Sequence, residues 1–338
     1  MPELQSSPTK VLLTGGAGYI GSTTASACRD AGIIPVILDS LVTGRAEFTA
    51  GHIFYPGDIA DGALLDRIFA EHPEISAVLN FAARIVVPES VAQPMLYYRE
   101  NVSKTQALLE HLDRLGCSTF VFSSSASMYA PGEDFSVDES SPLAPQNPYA
   151  RTKMVVELML RDIAATTPLN ALSLRYFNPI GADPLFRTGL QSRHPTHALG
   201  RLIQASQTDR KFTITGNDWP TRDGTGIRDY VNVWDLALAH VAALQRFDAA
   251  REDESYGVIN LGTGEGTTVR ELVTAFGSVT GLSLDIAETG PRPGDSAGCF
   301  TRSDRATKLL GWRPTQSLED GIRQSVEWAD RRRSMLGY

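Results

Sequence analysis

Three residues in the middle of the chain have side chains suited to proton transfer. Ser125 closes a run of three serines, and Tyr149 lies four residues before Lys153. If Tyr149 begins a helix, Lys153 lies one turn further along the same helix face. A phenol is a poor base at neutral pH because its pKa is about 10, but a nearby ammonium favours the phenolate. The spacing predicts a general base formed by Tyr149 and Lys153, with Ser125 sharing a substrate hydroxyl; the alternative is a pair of surface neighbours.

A glycine-rich turn near the start of the chain has the composition of a dinucleotide-binding site. The apolar strand Lys10–Thr14 leads into Gly15, Gly18 and Gly21, and a helical pattern of small residues follows. Such glycines allow a tight turn, close approach of a pyrophosphate and close packing of helix on strand. The second apolar strand ends at Asp39, whose carboxylate can bond both adenine-ribose hydroxyls and would repel a 2′-phosphate. This order of elements predicts NAD rather than NADP as the cofactor.

Strands and helices alternate through the first half of the chain. Strands are predicted over residues 77–81, 119–122 and 171–176, and helices over residues 91–115 and 149–165. This alternation is typical of α/β proteins with a doubly wound, parallel Rossmann-type sheet. Ligands of such sheets bind beyond the carboxyl ends of the strands. The serine run and the Tyr/Lys pair are therefore expected to share one crevice.

The alternation becomes weaker in the second half of the chain. Residues 179–232 are rich in Gly, Pro, Arg and His, which is consistent with a smaller C-terminal α/β substrate domain that closes over the crevice. We predict that residues 1–176 form the NAD-binding domain and that residues 231–262 return to it. Residues 177–230 and 263–338 are predicted to form the substrate domain.

Composition and charge are those of an ordinary globular protein. The chain has 338 residues, 42% hydrophobic and 21% charged, and its net charge of −8 argues against nucleic acid as the main ligand. Cys28, Cys117 and Cys299 are scattered, which favours a reducing cytoplasm. Met1–Lys10 has no apolar leader and no apolar run reaches membrane-spanning length, so we expect a cytoplasmic protein without a membrane partner. The histidines show no metal-ligand grouping, so no metal is expected.

Longer strings of residues are more distinctive than these motifs. The most specific are Arg175–Pro179, which reads Arg-Tyr-Phe-Asn-Pro, and Asp223–Tyr230, which reads Asp-Gly-Thr-Gly-Ile-Arg-Asp-Tyr. Other informative strings are Asp39-Ser40-Leu41, Gly57-Asp58-Ile59, Asn80-Phe81-Ala82-Ala83, Pro88-Glu89-Ser90, Tyr97–Val102, Arg292-Pro293-Gly294-Asp295 and Leu310-Gly311-Trp312. With these strings the chain resembles an extended short-chain dehydrogenase/reductase over nearly its whole length. Within that superfamily it is most similar to the UDP-glucose (UDP-galactose) 4-epimerases.

The resemblance implies a mechanism with tightly held NAD that is never released. Tyr149 would remove the O4 proton of a UDP-sugar while the C4 hydride passes to the nicotinamide. The 4-ketohexose would rotate about its pyrophosphate link, and the hydride would return to its other face. Ser125 would hold O4, while Lys153 would bind the nicotinamide-ribose hydroxyls and lower the pKa of Tyr149. A working pKa near the operating pH is what general-base catalysis requires.

The resemblance also implies which residues bind the ligands. The NAD site is expected to contain Gly15, Gly18, Tyr19, Ile20, Gly21, Asp39, Ser40, Asp58, Ile59, Phe81, Ala82, Ala83, Asn101, Ser123, Tyr149, Lys153 and Tyr176. The UDP-sugar site is expected to contain Ser125, Tyr149, Asn178, Arg228, Arg292, Asp295 and Cys299. A homodimer is expected as well, in which helices from residues 91–115 and 154–165 of both chains form a four-helix bundle.

Several positions depart from the family pattern and leave the identity of the sugar open. Pro195–Ala198 stands where an Asn-Asn-Leu string usually contacts the diphosphate, and Thr213–Thr215 stands where the edge beside the uracil is usually aromatic. Asn80 replaces the usual His before Phe-Ala. Arg187 and Arg193 lie in the divergent segment and would suit a sugar that carries a carboxylate.

Cys299 aligns with a family position that borders the hexose. A bulky tyrosine there goes with plain hexoses, and a small residue goes with room for an N-acetyl group. The other interpretation of Cys299 is a small buried hydrophobic residue. The predicted substrates are therefore UDP-glucose and UDP-galactose, with their N-acetylated relatives or UDP-glucuronate as alternatives.

Rival functions of the same superfamily need other residues. A nucleotide-sugar 4,6-dehydratase needs an Asp-Glu pair after the serine or threonine, and Ala126 and Ser127 stand there instead. Asp39 opposes an NADP-linked reductase. A catalytically silent NAD-sensing regulator would be expected to lack Tyr149 or Lys153, and both are present. The sequence favours reversible oxidation at C4.

Overall fold

A computed structural model of the protein describes residues 10–338; most of the opening segment, on which the expectation about a leader rests, lies outside that range. The strands are β1 Lys10–Thr14, β2 Ile34–Asp39, β3 Ile53–Pro56, β4 Ile75–Asn80, β5 Thr119–Ser125, β6 Ser136–Val137, β7 Asn170–Tyr176, β8 Asn178–Ile180, β9 Lys211–Thr215, β10 Ile227–Asn232, β11 Tyr256–Leu261, β12 Gly266–Thr268, β13 Asp285–Thr289 and β14 Phe300–Thr301.

The α-helices are α1 Tyr19–Asp30, α2 Gly62–Glu71, α3 Val87–Ala92, α4 Pro94–Tyr98, α5 Lys104–Arg114, α6 Pro148–Ala164, α7 Ala198–Ser206, α8 Val233–Gln245, α9 Phe247–Ala250, α10 Val269–Thr280 and α11 Leu318–Leu336. Short 3₁₀ turns cover Ala46–Thr49 and Ala126–Met128, and π-helical turns cover Arg99–Ser103 and Ala306–Leu310. Within residues 10–338, no helix combines the length and apolar composition needed to cross a bilayer.

A seven-stranded parallel sheet forms the centre of the molecule. Its strand order is β11-β7-β5-β4-β1-β2-β3, with β1 between β4 and β2. One apolar core joins the sheet to α1 and α8, and a second joins its other face to α2, α5 and α6. This arrangement confirms the predicted doubly wound α/β fold. Its carboxyl edge carries Asp39, Asn80, Ser125 and Tyr176, and Ser125 is in register with Tyr176.

Smaller sheets lie beyond this edge. Strands β12, β10 and β8 form a three-stranded sheet, and β13 pairs with β9. A third apolar core joins them to α7, α10 and α11. Thr268 and Glu271 form a capping box at the start of α10, and Gly281 is its C-cap residue. Helix α11 has Ser317 as its N-cap and Gly337 as its C-cap. These elements form the smaller α/β part that the sequence predicted.

The single helix predicted over residues 91–115 is wrong. It is interrupted at Gln93, whose φ of −133° and ψ of 60° reflect the restriction that the following proline imposes. It is interrupted again by the π-helical turn Arg99–Ser103. That turn directs the Asn101 amide inward, where it accepts from the Arg84 N–H at 2.8 Å and donates to the Arg84 carbonyl at 3.0 Å.

Asp235 ties α8 to the segment that precedes α11. Its buried carboxylate accepts the backbone N–H groups of Thr315 and Gln316 at 2.8 and 2.9 Å, and the Thr315 hydroxyl at 2.7 Å. An alanine here would leave these donors unpaired in the interior.

We predict that Asp235→Ala lowers the free energy of unfolding by about 2–4 kcal/mol, because several buried donors lose one charged acceptor. Urea denaturation followed by fluorescence would measure the change. Asp113→Ala, at an exposed position of α5, is the control and should stay within about 0.5 kcal/mol of the wild type. Equal stability of the two variants would contradict this account of Asp235.

Candidate active site

The turn between β1 and α1 leaves room for a phosphate because Gly15 and Gly21 have no side chains. Gly15 has φ 73°, and a Cβ there would lie 2.6 Å from the Ala82 nitrogen. A Cβ on Gly21 would lie 2.4 Å from the Gly15 carbonyl oxygen. Helix α1 begins at Tyr19 without an acidic residue in its first turn, so its N-terminal N–H groups suit an anion. The glycines thus fit the predicted pyrophosphate site.

Asp39 is oriented by backbone donors on both sides. Its carboxylate accepts the Ala17 N–H at 2.9 Å and the Leu41 N–H at 2.8 Å. Burial raises the pKa of Asp39, whereas these two hydrogen bonds act in the opposite direction. Ser40 next to it is exposed. The carboxylate is therefore held at the end of β2, where an adenine ribose would lie in a sheet of this type.

The neighbouring strand ends carry most of the other predicted cofactor residues. Asp58 follows β3, and its carboxylate accepts from the Lys104 ammonium at 2.5 Å. Phe81 follows β4 and lies against His240, with ring centroids 4.9 Å apart. The hydroxyl of Tyr176, at the end of β7, is hydrogen-bonded to that of Ser123. Sequence reasoning missed Lys104 and His240 because no local motif marks them. Of the remaining expected residues, Ile20 lies in α1, Ile59 follows β3, Ala82 and Ala83 follow β4, and Asn101 lies in the π-helical turn Arg99–Ser103.

Helix α6 presents the proton-transfer residues to the end of β5. It starts at Pro148, and the Asn147 side chain caps it by accepting the Ala150 N–H at 2.9 Å. This start places Tyr149 in the first turn and Lys153 one turn further on the same face. Burial raises the pKa of Tyr149, and the hydroxyl of Ser125 acts in the opposite direction by hydrogen bonding. The structure thus brings these side chains together.

Lys153 is buried, and its ammonium points to the strand. It donates to the Ser123 carbonyl oxygen at 2.6 Å and lies 4.7 Å from the centroid of the Phe122 ring. Burial lowers the pKa of Lys153 to about 7, while the charge of Glu157 raises it. The lowering of the Tyr149 pKa by Lys153 stays a prediction, because Ser125 is the group that acts on Tyr149 here.

A cavity of about 340 Å³ is lined by residues of the smaller sheets and of the segments next to them. Four predicted substrate residues line it: Asn178, Arg228, Arg292 and Asp295. Thr196, Thr213, Thr215 and Tyr230, which belong to strings noted in the sequence, line it as well. Arg201, Phe212 and Trp219 also line it and were not singled out from the sequence. The cavity thus combines cationic and aromatic walls, which suit a nucleotide diphosphate.

The arginines of this cavity differ in how many hydrogen-bond and ion-pair partners they have within the protein. Arg228 donates to the carbonyl oxygens of Ile227 and Ala297, both at 2.7 Å. Arg292 is paired with Asp295, with Nε 3.0 Å from the carboxylate. Arg201 makes no side-chain hydrogen bond or ion pair within residues 10–338 and is exposed to the cavity. Its donors are the most available to an anion.

Cys299 lies in a small apolar cluster beside the serine run. Its sulfur is 3.9 Å from the Ala126 carbonyl oxygen, and it packs with Tyr129, Val137 and Phe177. Burial raises the pKa of its thiol to about 12, so the thiol stays protonated at neutral pH. Among the described residues, no group of three or more His, Cys, Asp or Glu side chains could hold a metal ion.

We predict that Asp39→Ala lowers the affinity for NAD at least about tenfold, because the adenine ribose loses charge-assisted hydrogen bonds. The preference for NAD over NADP should decrease as well, because the carboxylate that would repel the 2′-phosphate of NADP is gone. Cofactor content after purification and titration with NAD and NADP would measure both effects. Asp61→Ala removes the exposed cap of α2 instead and should retain the cofactor; equal losses in both variants would refute the assignment of Asp39.

Comparison with known proteins identifies relatives along almost the whole chain. The profile of the NAD dependent epimerase/dehydratase family matches residues 11–262. The UDP-glucose 4-epimerase of Azospirillum brasilense is 41% identical over 331 residues, which are 97% of this chain and 94% of that protein. The corresponding protein of Bacillus subtilis (strain 168) is 39% identical, with 94% and 96% of the two chains covered.

Solved structures agree with these relatives. The UDP-glucose 4-epimerase of Stenotrophomonas maltophila, crystallised with NAD and formylated UDP-arabinopyranose, has a TM-score of 0.89 and 37% identity, covering 96% of this chain and 98% of its own. The UDP-Glc/GlcNAc 4-epimerase of Campylobacter jejuni has a TM-score of 0.79 and 33% identity, covering 96% and 99%. The chain therefore belongs to the NAD dependent epimerase/dehydratase family.

Proposed function

We propose that the protein is an NAD-dependent 4-epimerase of a UDP-sugar that interconverts UDP-glucose and UDP-galactose through a transient 4-keto intermediate. The observation that carries the proposal is the convergence of Ser125, Tyr149 and Lys153 at the carboxyl edge of the central sheet. The names of the relatives, UDP-glucose 4-epimerases at 39–41% identity, support the same activity.

The residues of the chain divide the work of this reaction. NAD supplies, when bound, a hydride acceptor and donor next to C4 of the sugar. Tyr149 takes the O4 proton when the alcohol is oxidised and gives it back when the ketone is reduced. Ser125 holds O4 by hydrogen bonding, and Lys153 orients the cofactor ribose. Because the hydride removed from C4 is returned to C4 of the same sugar, the reaction needs no net reductant, and one base serves both directions.

The segment after Ser125 supports epimerisation over elimination. Ala126 and Ser127 form a 3₁₀ turn, and the Ser125 hydroxyl donates to that of Ser127 at 2.9 Å. Neither side chain can protonate a leaving hydroxyl at neutral pH. A 4,6-dehydratase is therefore disfavoured by chemistry, and an NADP-linked reductase is disfavoured by the carboxylate of Asp39.

The surroundings of two arginines favour an uncharged sugar over a uronic acid. Arg187 is bonded to the carboxylates of Asp30 and Asp183. Arg193 lies 4.9 Å from the centroid of the Tyr338 ring. Neither is among the described residues that line the cavity. Because the side chain of Cys299 is small, an N-acetylated hexose is a second candidate substrate. The Campylobacter jejuni relative, named as a UDP-Glc/GlcNAc 4-epimerase, offers a parallel.

We expect the purified protein to form the C4 epimer of UDP-galactose and Tyr149→Phe to lose at least about a hundredfold in kcat while it keeps bound NAD. Chromatography of incubations with UDP-galactose, UDP-N-acetylgalactosamine and UDP-galacturonate would resolve the products. Tyr55→Phe, which alters a tyrosine bonded to His72 away from the crevice, is the matched control. If no epimer forms from any of the three sugars, the proposed function is wrong.

We also propose that residues 177–230 and 263–338 act as the substrate-binding unit and that the protein works in the cytoplasm. The smaller sheets and their own apolar core support the first proposal. The free, buried cysteines Cys28, Cys117 and Cys299 support the second, since such thiols persist in a reducing compartment.

A homodimer is proposed on the basis of an apolar face that α3, α4 and α6 share. Met95 is 82% exposed, Leu158 is 49% exposed and Val91 is 40% exposed. The three helices pack on one another, so these side chains form one face that a second copy would cover as a four-helix bundle.

Met95→Asp combined with Leu158→Asp is expected to convert the dimer into a monomer, because two buried charges would face each other across the two-fold axis. Light scattering coupled to size exclusion would report the mass. Leu185→Asp changes a leucine that is 69% exposed and belongs to none of these helices, so the mass of this variant should stay that of the wild type. A dimer in both variants would place the interface elsewhere.

A further inference from the structure

The catalytic face of α6 continues one turn beyond Lys153. Glu157 follows Lys153 by four residues, and both side chains are buried, with 4% and 3% exposure. Both contact the same strand: Lys153 donates to the Ser123 carbonyl oxygen, and Glu157 accepts from the Ser124 hydroxyl at 2.5 Å. The structure therefore holds a buried carboxylate beside the buried ammonium.

Arg175 holds this carboxylate from the other side. It lies on β7 opposite Ser124, and its Nε and Nη2 donate to the Glu157 carboxylate at 2.9 and 2.5 Å. Its Nη1 donates to the Tyr129 hydroxyl at 2.9 Å. Arg175 and the Ser124 hydroxyl thus hold the buried Glu157 carboxylate one helical turn from Lys153.

We propose that Glu157, held in place by Arg175, is a positioning residue whose charge favours the protonated form of Lys153 and so sets the upper pH limit of the active site. The functional consequence rests on the proposed epimerase activity, because it is there that a charged Lys153 serves the base Tyr149. The effect on Lys153 itself does not depend on any substrate.

The electrostatics around Lys153 explain why it needs such a neighbour. Burial lowers the pKa of Lys153 and the Glu157 charge raises it; the two effects together leave this pKa at about 7. The other titratable groups nearby are phenols that stay neutral, since burial raises the pKa of Tyr149 and Tyr176. Tyr256 of β11, which faces Glu157, is also neutral because burial raises its pKa. Among the described residues, Glu157 is thus the acid whose charge favours the ammonium of Lys153.

The decisive variant removes both charges of the pair. Glu157→Gln alone leaves Arg175 buried without a partner and endangers folding. Glu157→Gln combined with Arg175→Met replaces the ion pair with groups of similar volume, which proteins tolerate well. If the pair served only stability, this double variant would behave like the wild type at every pH.

Lysine NMR reads the protonation of Lys153 directly. The chain contains five lysines, so protein labelled with ¹³C at the lysine ε carbon gives few signals, and the signal missing from Lys153→Met is that of Lys153. Of the two charges of the pair, that of Glu157 is the one that acts on Lys153. Removing the pair should therefore lower the pKa of the ammonium, and the titration midpoint should fall by about one pH unit in the double variant. The pH above which kcat declines should fall together with this titration midpoint.

Two controls complete the experiment. Asp183→Asn combined with Arg187→Met removes another ion pair that has no contact with α6, and its Lys153 midpoint should match the wild type. Arg175→Lys retains a cation beside Glu157 and should preserve the wild-type midpoint. An unchanged Lys153 midpoint in the folded Glu157→Gln, Arg175→Met variant overturns the inference, as does an equal change in the Asp183 control. If the wild type forms no epimer, the proposed function fails, but the NMR titration still decides the inference.

Discussion

The contact between α6 and β5 is the interaction on which the active site depends. Residues 123–125 of the strand meet three residues of the helix, each four positions apart: Tyr149, Lys153 and Glu157. A helix displaced by one turn would lose all three contacts together. The cap at Asn147 and the proline after it determine where the helix starts, so a local signal at one end sets the geometry of the whole face.

The charges of the protein are distributed so that an acidic chain has a basic cavity. The net charge is −8, yet Arg201, Arg228 and Arg292 all line one cavity in the smaller part of the protein. A small anionic ligand responds to this local potential rather than to the net charge. The three arginines are also unequal, because Arg228 and Arg292 already have partners within the protein. Arg201 is therefore the cation most ready to exchange water for phosphate oxygens.

The fold and the cofactor crevice could be predicted to a large extent from the sequence because their signals are local. A glycine at position 15 or 21 is needed for steric reasons that any Rossmann-type turn shares, and Asp39 ends a strand that its own apolar pattern reveals. The break at Gln93 was missed because the helical pattern continues on both sides of it. Lys104 was missed because its partner, Asp58, lies on a different element.

By itself, the sequence determined the α/β class, the family, the glycine turn and the start of the helix that carries Tyr149 and Lys153. Each of these follows from neighbours along the chain, whose spacing fixes which side chains share a face. The tertiary structure alone decided that Glu157 meets Arg175 and that Arg201 enters the cavity. Those contacts join residues from separate elements, and only the order of strands in the sheet and the packing of helices on it bring them within bonding distance.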